Sequence, residues 1–298
     1  MKKRSFMSLA VILTAVIGIS GCGVTVIPTG LIPNANGTSS GEERGISAEK
    51  ELTTRELAME VVDNIANVKQ FSGKNKSTMV VGNTEQEIIT TSNYYVDIEN
   101  GNINIQGKTE TTGGDSTLEY EMIMYDRSKL YSNYGDGQWY VTELEEDVSS
   151  EKISEVINGY SNEPRIELFK LIRDGSIESS INPQLINENG QQVYRIYAKL
   201  EFYNLYKFFI DTRYMSETMS DTGKMEYEKL GIDDTCELVI DIYADNRLPA
   251  RFSYDATELI KKIQPLFDTE QSEEITGYKQ EVLINDYDHQ KDIDLPKV

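Results

Sequence analysis

The chain has 298 residues, 39% of them hydrophobic, and carries 50 Asp and Glu against 29 Lys and Arg, a formal charge of −21. A surface this acidic repels nucleic acid and anionic headgroups, so no nucleic-acid partner is expected. The length allows a sizeable buried core, while two cysteines and one histidine leave little material for a metal centre or a nucleophilic triad.

Lys2, Lys3 and Arg4 precede an apolar run that closes on Ile19-Ser20-Gly21-Cys22. At roughly 15 residues the run is shorter than the ~20 needed to span a bilayer, and small residues follow it, as in an export signal over 1–21. A branched apolar residue, two small residues and Cys resemble the lipobox of a bacterial lipoprotein. The resemblance implies cleavage before Cys22 and lipidation of its thiol with diacylglyceryl and palmitate-type chains. Two chains hold a protein stably where one is marginal. The expected location is therefore the outer face of the cell membrane, outside the cytoplasm. An ordinary signal peptide cut near Gly21 or Gly23, with Cys22 incidental, is the competing reading. Residues 22–50 are rich in Gly, Pro, Ser, Thr and Asn and show no period, which predicts a flexible tether.

A single domain is expected over 51–298. Thr53 and Glu56 have capping-box spacing, and Leu57, Val61, Ile65 and Val68 then fall on one helical stripe. Strand candidates follow over 71–81, 85–98 and 103–112, separated by Asn100-Gly101, a strong hairpin signal. In 118–124 the even positions Leu118, Tyr120, Met122 and Met124 are apolar, and 129–134 and 138–144 flank Gly135-Asp136-Gly137. Strands joined by such short turns must be antiparallel, so this half reads as a meander. The middle is helical: Ile153, Val156, Ile157 and Tyr160 share one spacing, and a second helix begins at Pro164 and stops at Gly175.

Asn189-Gly190 introduces a strand with Tyr194, Ile196, Ala198, Leu200 and Phe202 on one side. In 203–215, Asn204, Lys207 and Asp211 form one narrow polar stripe on an otherwise apolar helix. Such a helix is either buried between layers or covers an apolar cleft. Residues 216–233 read as loop, 235–243 and 250–254 as a strand pair around Leu248-Pro249, 256–267 as a short helix interrupted by Pro265, and 277–285 as the last strand. Cys236 lies on the apolar side of its strand without basic neighbours, as an inert buried thiol does; with Cys22 acylated it has no disulfide partner.

This order of elements, with Gly-Asp-Gly-Gln-Trp-Tyr at 135–140, Leu248-Pro249 between strands and Asn285-Asp286-Tyr287 near the end, resembles the lipid-anchored relatives of the LolA-like fold. These include the LppX/LprG group and many lipoproteins of Gram-positive bacteria. The resemblance implies an α+β fold: a strongly curved antiparallel sheet, an unclosed barrel, with helices covering its concave face. It also implies a lipid or other apolar ligand carried there. From the residues themselves, Tyr120, Met122 and Met124 on one strand face, with Tyr206, Phe209 and Tyr214, are the candidates for lining such a site, against the alternative that all six are plain core.

No catalytic residue, cofactor or metal site is expected. His289 stands in a polar tail, the 97–101 segment lacks the spacing and closing Glu of a calcium loop, and nothing singles out two carboxylates as a glycosidase pair. The functional expectation is a membrane-anchored, non-enzymatic carrier of a lipid or apolar ligand. The alternative is an envelope protein-interaction or signal-sensing module with a packed interior and no ligand. A transporter-coupled solute receptor fits less well, because such receptors are two α/β lobes and this chain reads as a meander.

Overall fold

The computed structural model describes residues 52–82, 86–99, 102–113, 116–126, 128–143, 162–201, 235–263, 274–288 and 293–297. Cys22, the tether, the helix expected near 153–160 and the apolar stretch 203–215 lie outside these residues. Helix α1 (Thr54–Ile65) starts on the expected box: Thr53 Oγ1 accepts from Glu56 N–H at 3.2 Å, and the Glu56 carboxylate accepts from Thr53 N–H at 3.0 Å. Leu57, Ala58, Val61 and Ile65 are buried along one face. Val68, the last residue of the expected stripe, is buried just beyond the helix end. Helix α2 (Glu163–Asp174) has Pro164 in its first turn and ends at Gly175, whose φ of 76° is the left-handed conformation that a C-terminal glycine supplies. Helix α3 (Thr257–Ile263) is a short surface element.

Twelve strands among the described residues form one sheet. They are β1 (Gln70–Val81), β2 (Gln86–Glu99), β3 (Asn102–Gly113), β4 (Ser116–Tyr125), β5 (Lys129–Asn133), β6 (Tyr140–Glu143), β7 (Glu178–Ser179), β8 (Gln184–Glu188), β9 (Gln191–Glu201), β10 (Thr235–Tyr243), β11 (Pro249–Asp255) and β12 (Ile275–Asn285). Every pairing is antiparallel, and the order is β6-β5-β4-β3-β2-β1-β12-β11-β10-β9-β7, with β8 also on β9. The last strand thus docks beside the first and joins two halves. The path ends at β6 and β7, so among the described residues the barrel is not closed. No strand was expected between Gly175 and Asn189; β7 and β8 occupy that interval. They are short, and β8 has no fully buried position, so the alternation that reveals a half-buried strand is missing.

Burial alternates along β1, with Phe71, Gly73, Asn75, Ser77, Met79 and Val81 facing the helices. One buried cluster joins α1 and α2 to Met122 and Met124 of β4 at one end and to Ile196 and Leu200 of β9 at the other. Laid flat, eleven strands would be ~50 Å across, whereas a 12-residue helix is ~18 Å long. A single cluster therefore requires the sheet to wrap around its helices, giving an α+β fold with a curved sheet. Arg165 of α2 lies 4.4 Å over the Phe71 ring, and Phe169 packs at 6.3 Å against Phe252 of β11.

The helix side also holds a satisfied polar network. The Gln280 amide accepts from the hydroxyls of Tyr254 and Tyr278 and donates to Asn75 Oδ1 at 3.0 Å. Such a network pins the β1, β11 and β12 registers, since a slip would leave buried polar atoms unpaired.

The opposite face carries a charge ladder. Arg195 of β9 forks onto Asp241 of β10 at 2.7 and 2.8 Å, and Arg251 of β11 bridges Asp241 at 3.5 Å and Glu281 of β12 at 2.6 Å. Glu188 of β8 completes it on Arg195 at 3.4 Å. Asp241 is almost fully buried, and its hydrogen bonds hold the Arg195 guanidinium above its ordinary pKa.

Candidate functional site

A cavity of about 830 Å³ borders β12, β1, β2, β3 and β4. Its lining follows three consecutive cross-strand rows. The middle row is Ile284, Gly73, Tyr94, Gly107 and Met122. One flanking row is Asn285, Ser72, Tyr95, Gln106 and Ile123; the other is Leu283, Lys74, Asn93, Lys108 and Glu121. Because side chains alternate along a strand, both flanking rows point to the face opposite α1 and α2. The cleft is therefore built mainly on that face, with the middle row at its floor. Trp139, Tyr243, Ala250 and Asp286 border it as well.

The two banks differ in chemistry. Tyr95 and Ile123 are only 4% and 2% exposed, although they face away from the main core, and they give the first bank an apolar character. On the second bank Lys74, Asn93 and Lys108 are exposed. Lys108 reaches Glu119 at 3.2 Å and Glu121 at 3.3 Å, and hydrogen bonds to these carboxylates, Glu119 first, raise its pKa. Among the described residues Lys74 has no ion-pair partner. The Tyr243 hydroxyl donates to Ile284 O at 3.1 Å at the cleft end; burial, then Asp286 and Asp245, push its pKa up, so it stays a donor.

Gly73 and Tyr94 set the floor. A Cβ on Gly73 would lie 2.5 Å from Tyr94 Cζ and 2.7 Å from Leu283 O, so the phenol ring occupies the space that any other residue would claim. Tyr94 packs edge-on to Phe71 at 6.4 Å, and its pKa is raised by burial, against the opposing pull of Arg165. Gly107 differs: the nearest atoms to its Cβ position are Met122 Cγ at 3.8 Å and Asn93 O at 3.9 Å.

Of the candidate lining residues, Met122 borders this cleft. Tyr120 and Met124 share its face of β4 but do not border the cleft: Met124 packs with Met122 in the main core, and the Tyr120 hydroxyl pairs with Ser132 Oγ at 3.4 Å. Tyr206, Phe209, Tyr214 and Cys22 lie outside the described residues. Sequence reasoning missed Tyr94, Tyr95, Asn93, Lys108 and Glu121. The usable signal was Gly73 inside a strand, which marks a close approach; the alignment of the rows depends on register and is not visible in linear spacing.

Among the described residues no group of three or more His, Cys, Asp and Glu is placed to hold a metal ion, and no helix is long and apolar enough to cross a membrane. Cys236 is 8% exposed, and its thiol donates to Asp255 O at 3.0 Å. Burial, then the Asp255 charge, push its pKa up to about 11. At pH 8 its alkylation is expected to run ~100-fold slower than that of an unfolded chain, because so little thiolate is present. The folded thiol ionises later than the unfolded one. The stability linked to it is intact below about pH 8.5 and is lost as pH rises toward about 11. Iodoacetamide uptake with and without denaturant, read by intact mass, checks this.

No protein-family model matches the sequence, and no curated protein matches it. Among solved structures, LprF from Mycobacterium bovis is similar at 10% identity and a TM-score of 0.48, covering 82% of this chain and 96% of that one. The lipoprotein LppX of Mycobacterium tuberculosis is similar at 10% identity and a TM-score of 0.44, covering 81% and 98%. A LolA-superfamily protein of Nitrosomonas europaea gives 11% identity and a TM-score of 0.22, covering 82% and 96%. LppX and the LolA superfamily are also the proteins that the sequence resembles.

Proposed function

We propose that this chain is a lipoprotein held to the outer face of the cell membrane through Cys22, and that its folded part, over 51–298, binds a lipid or a similar amphiphile in the cleft. The observation that carries this reading is the pair of unlike banks: a buried apolar row of Tyr95 and Ile123 lies two residues along the strands from an exposed polar row of Lys74, Asn93 and Lys108. An amphiphile laid across the strands meets apolar surface on one side and charge on the other. The volume is within the range of small-molecule sites. No catalytic step is assigned; the chemistry is binding and release.

Asn93 is exposed on the central strand of the cleft, so Asn93→Trp fills the space without entering the core. It is expected to weaken binding of a fluorescent fatty-acid probe by at least ~10-fold, or about 1.4 kcal/mol. Met124→Leu, in the core and off the cleft, is expected to leave binding unchanged. Equal binding by the parent and Asn93→Trp would remove the cleft as the site.

A second reading, an envelope protein-interaction module without a ligand, is favoured by the helix side. There Leu57, Phe71, Phe169, Ile196 and Leu200 are fully buried, as in a filled core. Failure of every apolar probe to bind the parent protein would select it.

A further inference from the structure

We infer that the β7–β8 edge, with Ile181 at its tip, is a contact surface for the lipid membrane that holds the anchor; this rests on the reading of Cys22 as lipidated. Ile181 is 83% exposed and Leu185 is 53% exposed. They lie on an edge of the sheet, where β7 pairs with β9 at Lys199 and Ala198, and β8 pairs with it from Arg195 onward. The intervening residues 181–183 form a bend between the two strands. Edge strands are usually guarded by charge or cover, and here Glu178 and Glu188 stand at the outer ends of β7 and β8, yet the segment between them, residues 179–187 (Ser-Ser-Ile-Asn-Pro-Gln-Leu-Ile-Asn), carries no charge in a chain whose formal charge is −21. This is the composition that a surface approaching lipid requires, since carboxylates there would be repelled by headgroup charge and resist desolvation.

The position of the edge identifies the occupant. Thr54 N–H, at the first turn of α1, donates to Ile181 O at 2.9 Å. The chain therefore enters the fold directly beside Ile181, and the preceding segment leads back to Cys22 over about 30 residues. By its Gly, Ser and Pro content that segment has an expected span of roughly 30 Å. A tether this short keeps the patch at high effective concentration over the bilayer, so a weak apolar contact suffices. An exposed Ile beside a Leu, flanked by Asn, Gln and Ser, suits the headgroup–acyl boundary.

The test uses the acylated protein in phosphatidylcholine vesicles doped with nitroxide-labelled phosphatidylcholine. An environment-sensitive fluorophore is attached through Ile181→Cys or, as control, through Glu143→Cys on β6 at the other end of the sheet. Both positions are exposed, so neither substitution touches the core, and buried Cys236 escapes native labelling. The expected result is flotation of both proteins with the vesicles, with a blue shift and loss of most of the fluorescence at 181 and neither change at 143. Flotation with a label at 181 as water-exposed as that at 143 overturns the inference while leaving the anchor intact. Absence of flotation shows that the anchor reading has failed, and the inference falls with it.

Discussion

Replacing Arg195 with Met is expected to destabilise the fold by about 3 kcal/mol, the lower end of the cost of breaking a buried ion pair. Arg195 supplies both short bonds to Asp241, at 2.7 and 2.8 Å, and the Asp241 side chain is 2% exposed. Without the fork, a carboxylate that water does not reach keeps only the 3.5 Å contact with Arg251. Removal of Arg251 instead leaves the short fork in place and is expected to cost less. Arg195 is itself 19% exposed, so part of its charge is hydrated already, and the full 3–5 kcal/mol range is not expected. The internal control is Lys199→Ala: its ion pair with Glu178 is 56% and 73% exposed, and its loss should stay within about 0.5 kcal/mol. Urea unfolding with an unchanged slope measures all three. A loss below about 1 kcal/mol for Arg195→Met would make the ladder an ordinary set of surface charges.

Gly73→Ala should be comparably harmful, at about 3 kcal/mol, whereas Gly107→Ala, one strand beyond Tyr94 on the same row, should be neutral or mildly stabilising. At Gly73 the new methyl meets Tyr94 Cζ at 2.5 Å and Leu283 O at 2.7 Å. The ring is enclosed by Phe71 and Arg165 and cannot swing freely, and the carbonyl belongs to the paired strand β12. Both obstacles are rigid, so the strain is relieved only by opening the β1–β12 pairing that joins the two halves. Gly107 meets nothing nearer than 3.8 Å, and there the added methyl mainly restricts the unfolded chain. Tyr94→Phe should not rescue Gly73→Ala, because Cζ remains in place. Equal effects at the two glycines would mean that Tyr94 does not lie over Gly73. The same substitution displaces the floor of the cleft, so Gly73→Ala is also expected to weaken the binding that Asn93→Trp blocks.

Local signals in the sequence carried much of the fold. Thr53 and Glu56 mark the start of α1 because a capping box needs only four residues. Gly135-Asp136-Gly137 marks a turn because both glycines take positive φ, 81° and 75°. Leu118 through Met124 reads as a strand because its even positions are apolar; of these Met122 and Met124 meet the core, whereas Leu118 is 45% exposed. What failed to show was non-local. The ladder of Glu188, Arg195, Asp241, Arg251 and Glu281 draws one residue from each of five strands, and only the registers bring these charges together. The cleft has the same origin: Tyr95 and Ile123 are ordinary strand residues until β3 aligns them across Gln106. Met122 was visible as an adaptable apolar residue on the right strand, but linear spacing does not separate it from Met124, which packs into the same core without bordering the cleft.

The claim on which the functional reading depends is that the cleft holds an amphiphile. Native mass spectrometry of the acylated protein, extracted gently from membranes, tests it most directly. The expected spectrum shows the lipid-bearing polypeptide with one additional non-covalent amphiphile, and the Asn93→Trp protein carries the anchor but loses that addition. A parent protein that appears only at the mass of polypeptide plus anchor, in repeated extractions and after incubation with total lipid, would contradict the reading.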